Sequence, residues 1–365
     1  MSEQSADTTE VDDPKALISG LAKLGQVFER VVFRNVDLSG CDLAGGIFEQ
    51  CDFSKANLQQ TDFRFASFNQ CNFTEADFQR VDAQGASFTN CEFLHNLAMS
   101  SDFCETSFEA CHFKNLQAAN SRWADSNFTE CTLVDIDWRL AQLNNQTFGA
   151  SALTKINVGE AELKRWTFNE STLTDVEVTG ALAQEQSYWR STFTNITWQG
   201  NDLSGSLALE STFAKVSMEQ CIVVNSTFRD SDLRKMSFCR SVVNNTGFSR
   251  CDLTGAQFID CQLNQTVWQG ATLDYAAFNK ATMEMAILTE VNARNADFSD
   301  VNFTYADLSL MNLHDALMLD TQLFGADLFE IIDYKTVWTG ANRNKAKAVD
   351  EKRLAAYKKA QKEKS

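Results

Sequence analysis

Cys51, Cys71, Cys91, Cys111 and Cys131 stand 20 residues apart. Thiols in so regular an array could ligate a metal or exchange disulfides. Two features oppose that chemistry. No C-x-x-C pair occurs, and the same column continues as Ser151, Ser171, Ser191, Ser211, Ser231, Cys251 and Ala271. Serine and alanine cannot supply the thiolate a metal needs. The ladder therefore reads as a set of spacers, since free cysteine packs as a small hydrophobe. Cys41, Cys221 and Cys261 occupy equivalent places, which leaves Cys104 and Cys239 as the thiols expected to react.

The three histidines, His95, His112 and His314, lie in CEFLH, CHFKN and MNLHD with no nucleophile motif beside them. They read as surface residues. No Gly-rich phosphate loop or paired-carboxylate motif stands out, so no catalytic, cofactor or metal site is expected and the chain is not read as an enzyme.

The spacing of the cysteines points to the elements that carry them. Written in fives from Val31, the chain runs VVFRN, VDLSG, CDLAG, GIFEQ, CDFSK, ANLQQ. The first residue of each block is small and the third large and apolar. From Phe33 to Trp338 the third place holds 24 Phe, 18 Leu, 5 Trp, 4 Val, 3 Met, 1 Tyr, 6 Ala and one polar exception, Asp333. A period of five fits neither an amphipathic helix nor an alternating strand. The chain must turn a corner every five residues, and four corners close a coil of 20, which stacks the cysteines in one column.

Blocks such as ANLQQ, ADFQR, CDLTG, ADFSD and ADLSL resemble the pentapeptide-repeat family over residues 31–342. That resemblance implies an all-β fold, a right-handed quadrilateral β-helix solenoid of about 15 coils, roughly 70 to 75 Å long at the usual strand spacing. Such an array needs caps at both ends. Asp at the second place of a block is expected to form turns. Ala98 and Ala118 leave the centre of their blocks small, and Leu116 is expected to fill in from the first place. Trp166, in a first place, is too large for a spacer, so a local widening or an outward flip is expected there. Phe65 and Trp189 are further departures from the repeat.

Residues 1–13 read as a disordered acidic tail. Residues 14–30 read as an amphipathic capping helix, with Asp13 as N-cap, Pro14 at its first position and Leu17, Leu21, Leu24 and Phe28 on one side. Residues 343–365 carry nine Lys or Arg against three Asp or Glu and read as a basic helix or tail, +6 against −23 for residues 1–342. Near that end Tyr275, Met285, Tyr305, Leu310, Leu319, Phe324, Phe329 and Tyr334 place apolar side chains where the repeat is normally exposed. They are candidate partner-binding residues, also for a homodimer through the C-terminal region, unless the terminal helix covers them.

A formal net charge of −17 disfavours direct contact with nucleic acid. No apolar run approaches the length of a membrane span and the N-terminus is acidic, so no membrane insertion is expected and the chain is placed in the cytoplasm. An odd number of cysteines, 11, suits a reducing compartment.

A regular core with irregular outer residues is a display surface, and the reading is a non-enzymatic protein–protein interaction scaffold or adaptor. Long family members accompany bacterial type VI secretion clusters, and the leading helix, the unbroken repeat and ADFSDVNFTYADLSLMNLHDA are similar to theirs, which implies secretion spike or effector proteins as partners. The alternative is a DNA mimic that binds DNA gyrase or topoisomerase IV. The four sides of the coil, residues 31–340, carry −1 (the Cys51 side), −6, −6 and −7, so acidity is spread over three sides instead of one stripe.

Overall fold

The computed structural model describes residues 14–364; the acidic tail and the Asp13 cap lie outside the described residues. The chain forms two compact units, Met1–Leu182 and Ala183–Ser365. Each is a parallel β-solenoid, with terminal helices at the chain's ends.

The corners explain the period of five. Every residue numbered by a multiple of five from Arg30 to Gly340 has a positive φ, from 47° to 77°. That conformation crowds Cβ, and most strongly a branched one. None of these positions holds Val, Ile or Thr. The second place completes the turn. Asp52 Oδ1 accepts the N–H of Ser54 at 2.9 Å and Asp62 Oδ1 that of Arg64 at 3.0 Å, the side chain bridging to the residue two ahead. Aspartate therefore recurs at this place for its acceptor.

Between corners each block bonds to the coils on either side. Phe53 N donates to Asn72 O at 2.8 Å, Lys55 N to Thr74 O at 2.9 Å, and Asp52 N back to Val31 O at 3.0 Å. This ladder fixes the 20-residue register, as in Phe48↔Phe68 and Leu153↔Leu173. Side chains then stack at the strand spacing. In the first unit Phe28, Phe48, Phe68, Phe88, Phe108, Phe128, Phe148 and Phe168 form one pile with ring centroids 4.7 to 5.1 Å apart. In the second, Phe238, Phe258, Phe278 and Phe298 do the same at 4.8 to 4.9 Å.

Regular strands mark fewer turns than the period predicts. The main series runs from Val27–Glu29 to Thr167–Asn169 in the first unit and from Ser187–Trp189 to Thr227–Arg229 in the second, which is about ten turns instead of about 15. Later turns keep the register through isolated bridges, up to Leu317↔Val337. There the tight corners leave only the second residue of each block extended.

Residues 14–30 divide between two structures. Helix α1 spans Pro14–Lys23, and Val27–Glu29 already pairs with Ile47–Glu49. Gly25, at φ 69°, stops the helix: its N–H reaches Ala22 O at 2.9 Å and Gln26 N–H reaches Leu21 O at 3.1 Å. Phe28 belongs to the phenylalanine pile and not to the helix. Ala22 is buried, whereas Leu17 and Leu24 face solvent. Polar contacts seat α1 instead: Lys15 Nζ on Asp37 at 2.9 Å, Lys23 Nζ on Asp42 at 2.6 Å, and Ser19 Oγ accepting Asp42 N–H at 3.2 Å.

Trp166 does not flip outward. It is buried, and its Nε1–H donates to Leu143 O at 2.6 Å. Gln146, 20 residues earlier at the same first place, is buried as well, so this column takes large side chains inward. Leu116 is buried beside the small Ala118, and Ile136, Ile156 and Val176 fill the same column, where strands lengthen to six residues.

Candidate protein-interaction surface

The second unit presents most of the apolar residues singled out above. Tyr275, Met285 and Tyr305 occupy corner positions, whose left-handed backbone throws the side chain clear of the coil; Phe324 and Tyr334 precede corners. All five are more than half exposed. Tyr305 and Phe324 meet edge to face at 5.5 Å, and Tyr334 lies 5.2 Å from His314 with Lys335 Nζ 5.4 Å above its ring. Leu310 and Leu319 are half-buried.

Phe329 is covered. The last coil leads through a short 3-10 turn, Arg343–Lys345, to helix α2, Glu351–Lys364. Arg353 lies 4.1 Å over the Phe329 ring and pairs with Asp327 at 2.7 Å, and Tyr357 packs edge-on against Phe329 at 5.6 Å. A cleft of about 390 Å³ lies between this segment and the coil, lined by Asp327, Phe329, Glu330, Arg343, Asp350 and Arg353 among others. Asp333, the polar exception of the central column, is paired with Arg343 at 2.8 Å, and the same guanidinium lies 4.4 Å over Trp338.

Arg353 and Tyr357 were not singled out from the sequence, although their spacing of four places them on one side of a helix. Ile287, Leu317, Ile332 and Val337 were missed too. They are exposed because they sit at second places, where Asp or Asn normally stands. Their departure from that preference was the available signal.

The candidate chemical groups are not drawn together. Asn115 Nδ2 contacts His95 Nδ1 at 3.1 Å, and His314 contacts Asp315 at 2.6 Å. Among the described residues no cluster of three or more His, Cys, Asp or Glu is placed to hold a metal. The ladder thiols point at backbone carbonyls, as Cys91 Sγ to Phe68 O at 3.6 Å, and Ser151 Oγ bonds Phe128 O in the same way at 3.1 Å. Cys104 is buried, contrary to expectation, and burial with Asp102 nearby pushes its thiol up to about 12. Cys239 is half-exposed.

Two other departures face outward. Phe65 is exposed and lies across Gly85, and Trp189 is partly exposed beneath the Arg190 guanidinium at 4.3 Å.

Four-sided turns with five-residue sides and a fixed parallel register define a repeat protein of the β-solenoid class. Family models described as pentapeptide repeats match residues 32–70, 56–93 and 286–320, and one described as a pentapeptide repeat region matches residues 211–288. The chain carries pentapeptide repeats over residues 32–93 and 211–320.

Among solved structures the chain is similar to HetL of the cyanobacterium Nostoc, a pentapeptide repeat protein involved in heterocyst differentiation regulation, at 22% identity over 74% of this chain and 90% of that one, TM-score 0.25. It is similar to QnrB1, a plasmid-mediated fluoroquinolone resistance protein, at 16% identity over 59% and 89%, TM-score 0.32. A mannuronic acid specific polysaccharide lyase from human gut microbiota matches at 9% identity over 94% and 91%, TM-score 0.40. No curated protein matches the sequence.

Proposed function

We propose that this chain is a non-enzymatic protein-interaction scaffold whose partner seats on the C-terminal coils. The observation that carries the reading is the exposed apolar group of Met285, Tyr305 and Phe324, which stack on one side of successive coils otherwise built of polar blocks. Exposed apolar patches on otherwise polar surfaces mark contact sites. The finer form of the proposal names spike or effector proteins of bacterial type VI secretion as the partner, on the strength of the sequence resemblance.

A second reading, a DNA mimic that binds DNA gyrase or topoisomerase IV, is favoured by the net charge of −17, while the spread of that charge over three sides instead of one stripe ranks it second. Affinity capture from a bacterial lysate, with the full chain and with a version lacking residues 343–365, separates the two. Recovery of secretion proteins supports the first. Recovery of topoisomerase subunits that is lost on adding salt supports the second, because contacts made by charge are screened.

A further inference from the structure

The last coil of the second unit, residues 321–340, is closed on two sides and open on the other two. Within the solenoid each block spends the same main-chain groups on the coil that follows. Its third and fifth N–H groups donate and its first carbonyl accepts, as Phe303 N to Gln322 O at 2.8 Å, Tyr305 N to Phe324 O at 2.8 Å, and Gln322 N back to Val301 O at 2.9 Å. After residue 340 the chain supplies these partners for the side that begins at residue 321, where Asn342 Oδ1 accepts Leu323 N–H at 2.6 Å and Lys345 O accepts Gly325 N–H at 2.9 Å. Lys347 N donates to Ala326 O at 2.9 Å on the next side, and α2 covers Phe329 there. No strand follows residues 331–340. Among the described residues the N–H groups of Asp333, Lys335, Trp338 and Gly340 and the carbonyls of Ile331 and Thr336 have no hydrogen-bond partner.

The core is uncovered at the same place. From residue 221 to residue 320 every first and third place is buried, whereas Ile331, Asp333, Thr336 and Trp338 are only half-buried. Trp338 Nε1 is shielded from water without a partner, although Trp268 Nε1 donates to Thr266 Oγ1 at 2.8 Å. Charge reverses here as well. Residues 251–330 carry −10 and residues 331–365 carry +6, so the open edge lies at a basic end of an acidic unit.

We infer that this open edge takes an acidic, extended segment of another protein, which adds to residues 331–340 as a further parallel strand. The inference rests on the reading of the C-terminal coils as a contact surface and names the chemistry of the partner. An unpaired strand edge is a template for an incoming chain, whose main chain supplies affinity while its alternate side chains supply selectivity. The donors at third and fifth places and the acceptors at first places fix the register, so the added segment turns a corner where the coil does. It sets a large apolar side chain over Trp338 and offers an acceptor to Nε1. Acids on its outer places match the basic end. A second copy brings the same +6 end to this edge and is opposed by it.

Fluorescence anisotropy of the full chain with a labelled peptide tests this. The peptide has two repeat blocks, with Asp at each second and fifth place and Leu or Phe at each third, and its control has the same composition in scrambled order. Two variants of the chain add the same positive charge. Ile331→Lys sets it on the uncovered core, where a charge blocks strand addition, and Ile332→Lys sets it on the outer surface, where Ile332 is exposed. The expected result is binding of the ordered peptide, about tenfold or more weaker binding of the scrambled one, and a dissociation constant raised about tenfold or more by Ile331→Lys but not by Ile332→Lys. Hydrogen exchange over residues 331–340 slows when the ordered peptide is present. Attraction of charge alone gives the opposite sign, both lysine variants binding tighter. If Ile331→Lys alters thermal unfolding, the slowed exchange in the wild-type chain decides. No binding of the ordered peptide, equal binding of the scrambled one, tighter binding by both variants, or an edge already protected in the free chain by a second copy overturns the inference. Failure here, with residues 271–330 still protected by a protein captured from lysate, removes the added strand and leaves the scaffold reading standing.

Discussion

Arg353 meets the carboxylate of Asp327 at 2.7 Å and spreads 4.1 Å above the ring of Phe329, so a single side chain of α2 both pairs a charge and shields an aromatic ring on the last coil. Tyr357 adds an edge contact to the same ring. Apart from Leu354 and Tyr357, the side chains of α2 from Glu351 to Lys362 are exposed.

Arg353→Ala is therefore expected to free α2 while leaving the coils intact. A partly exposed ion pair and a cation–π contact are together worth about 1 kcal/mol, enough to shift a marginal docking equilibrium severalfold. Hydrogen exchange should show faster exchange over residues 351–364 and unchanged protection of the phenylalanine column. Unchanged protection of α2 would mean that Tyr357 and Leu354 hold it alone.

Corner positions predict a second asymmetry. Leu140 has a φ of 59° and an exposed side chain, so nothing but the backbone penalises it. Leu140→Gly should stabilise the first unit by about 1 kcal/mol, and Leu140→Val should destabilise it by a similar amount. Denaturant midpoints check both signs.

This position also shows where sequence reading stopped. The central column and the small first place were legible because both face the core, where side-chain size is dictated. The corners were not, because their constraint is on the backbone and admits Arg30, Lys55 and Phe65 alike; only the lack of branched residues betrays it. Phe28 was misplaced in the helix because a five-residue frame started at Val31 leaves it outside. The outward flip considered for Trp166 does not occur, and block-by-block reading cannot show why, since it does not reveal that Gln146 in the same column also points inward. Among the candidate partner residues, exposure of Tyr305 and Phe324 followed from the frame, but the cover over Phe329 depended on how α2 docks.

Thiol chemistry gives a third test. Of 11 free cysteines only Cys239 is more than marginally exposed, and burial pushes the Cys221, Cys251 and Cys261 thiols up to about 11, 12 and 12. An aromatic disulfide reagent should modify one thiol rapidly in the native protein and the rest only on unfolding. Cys239→Ser should abolish the rapid phase; a persisting rapid phase would show that buried columns open.

The cap formed by α1 should weaken in acid below the ordinary carboxylate range. The Ser39 hydroxyl and N–H, with Lys15, hold the Asp37 carboxyl at about 2. Its unfolded value is near 3.8, so the folded value is depressed. The stability it contributes is present in full above the unfolded value and is lost as pH falls through about 4 toward 2. Exchange protection of residues 14–23 measured across that range should decline with wild-type Asp37 and be nearly flat in Asp37→Asn.

The central claim is that the protein works by contact, through its C-terminal coils. Hydrogen exchange of the full chain, free and bound to whichever protein the lysate capture returns, measures that contact directly. The account predicts added protection in residues 271–345 and none in residues 27–182. Added protection confined to residues 27–182 would contradict it.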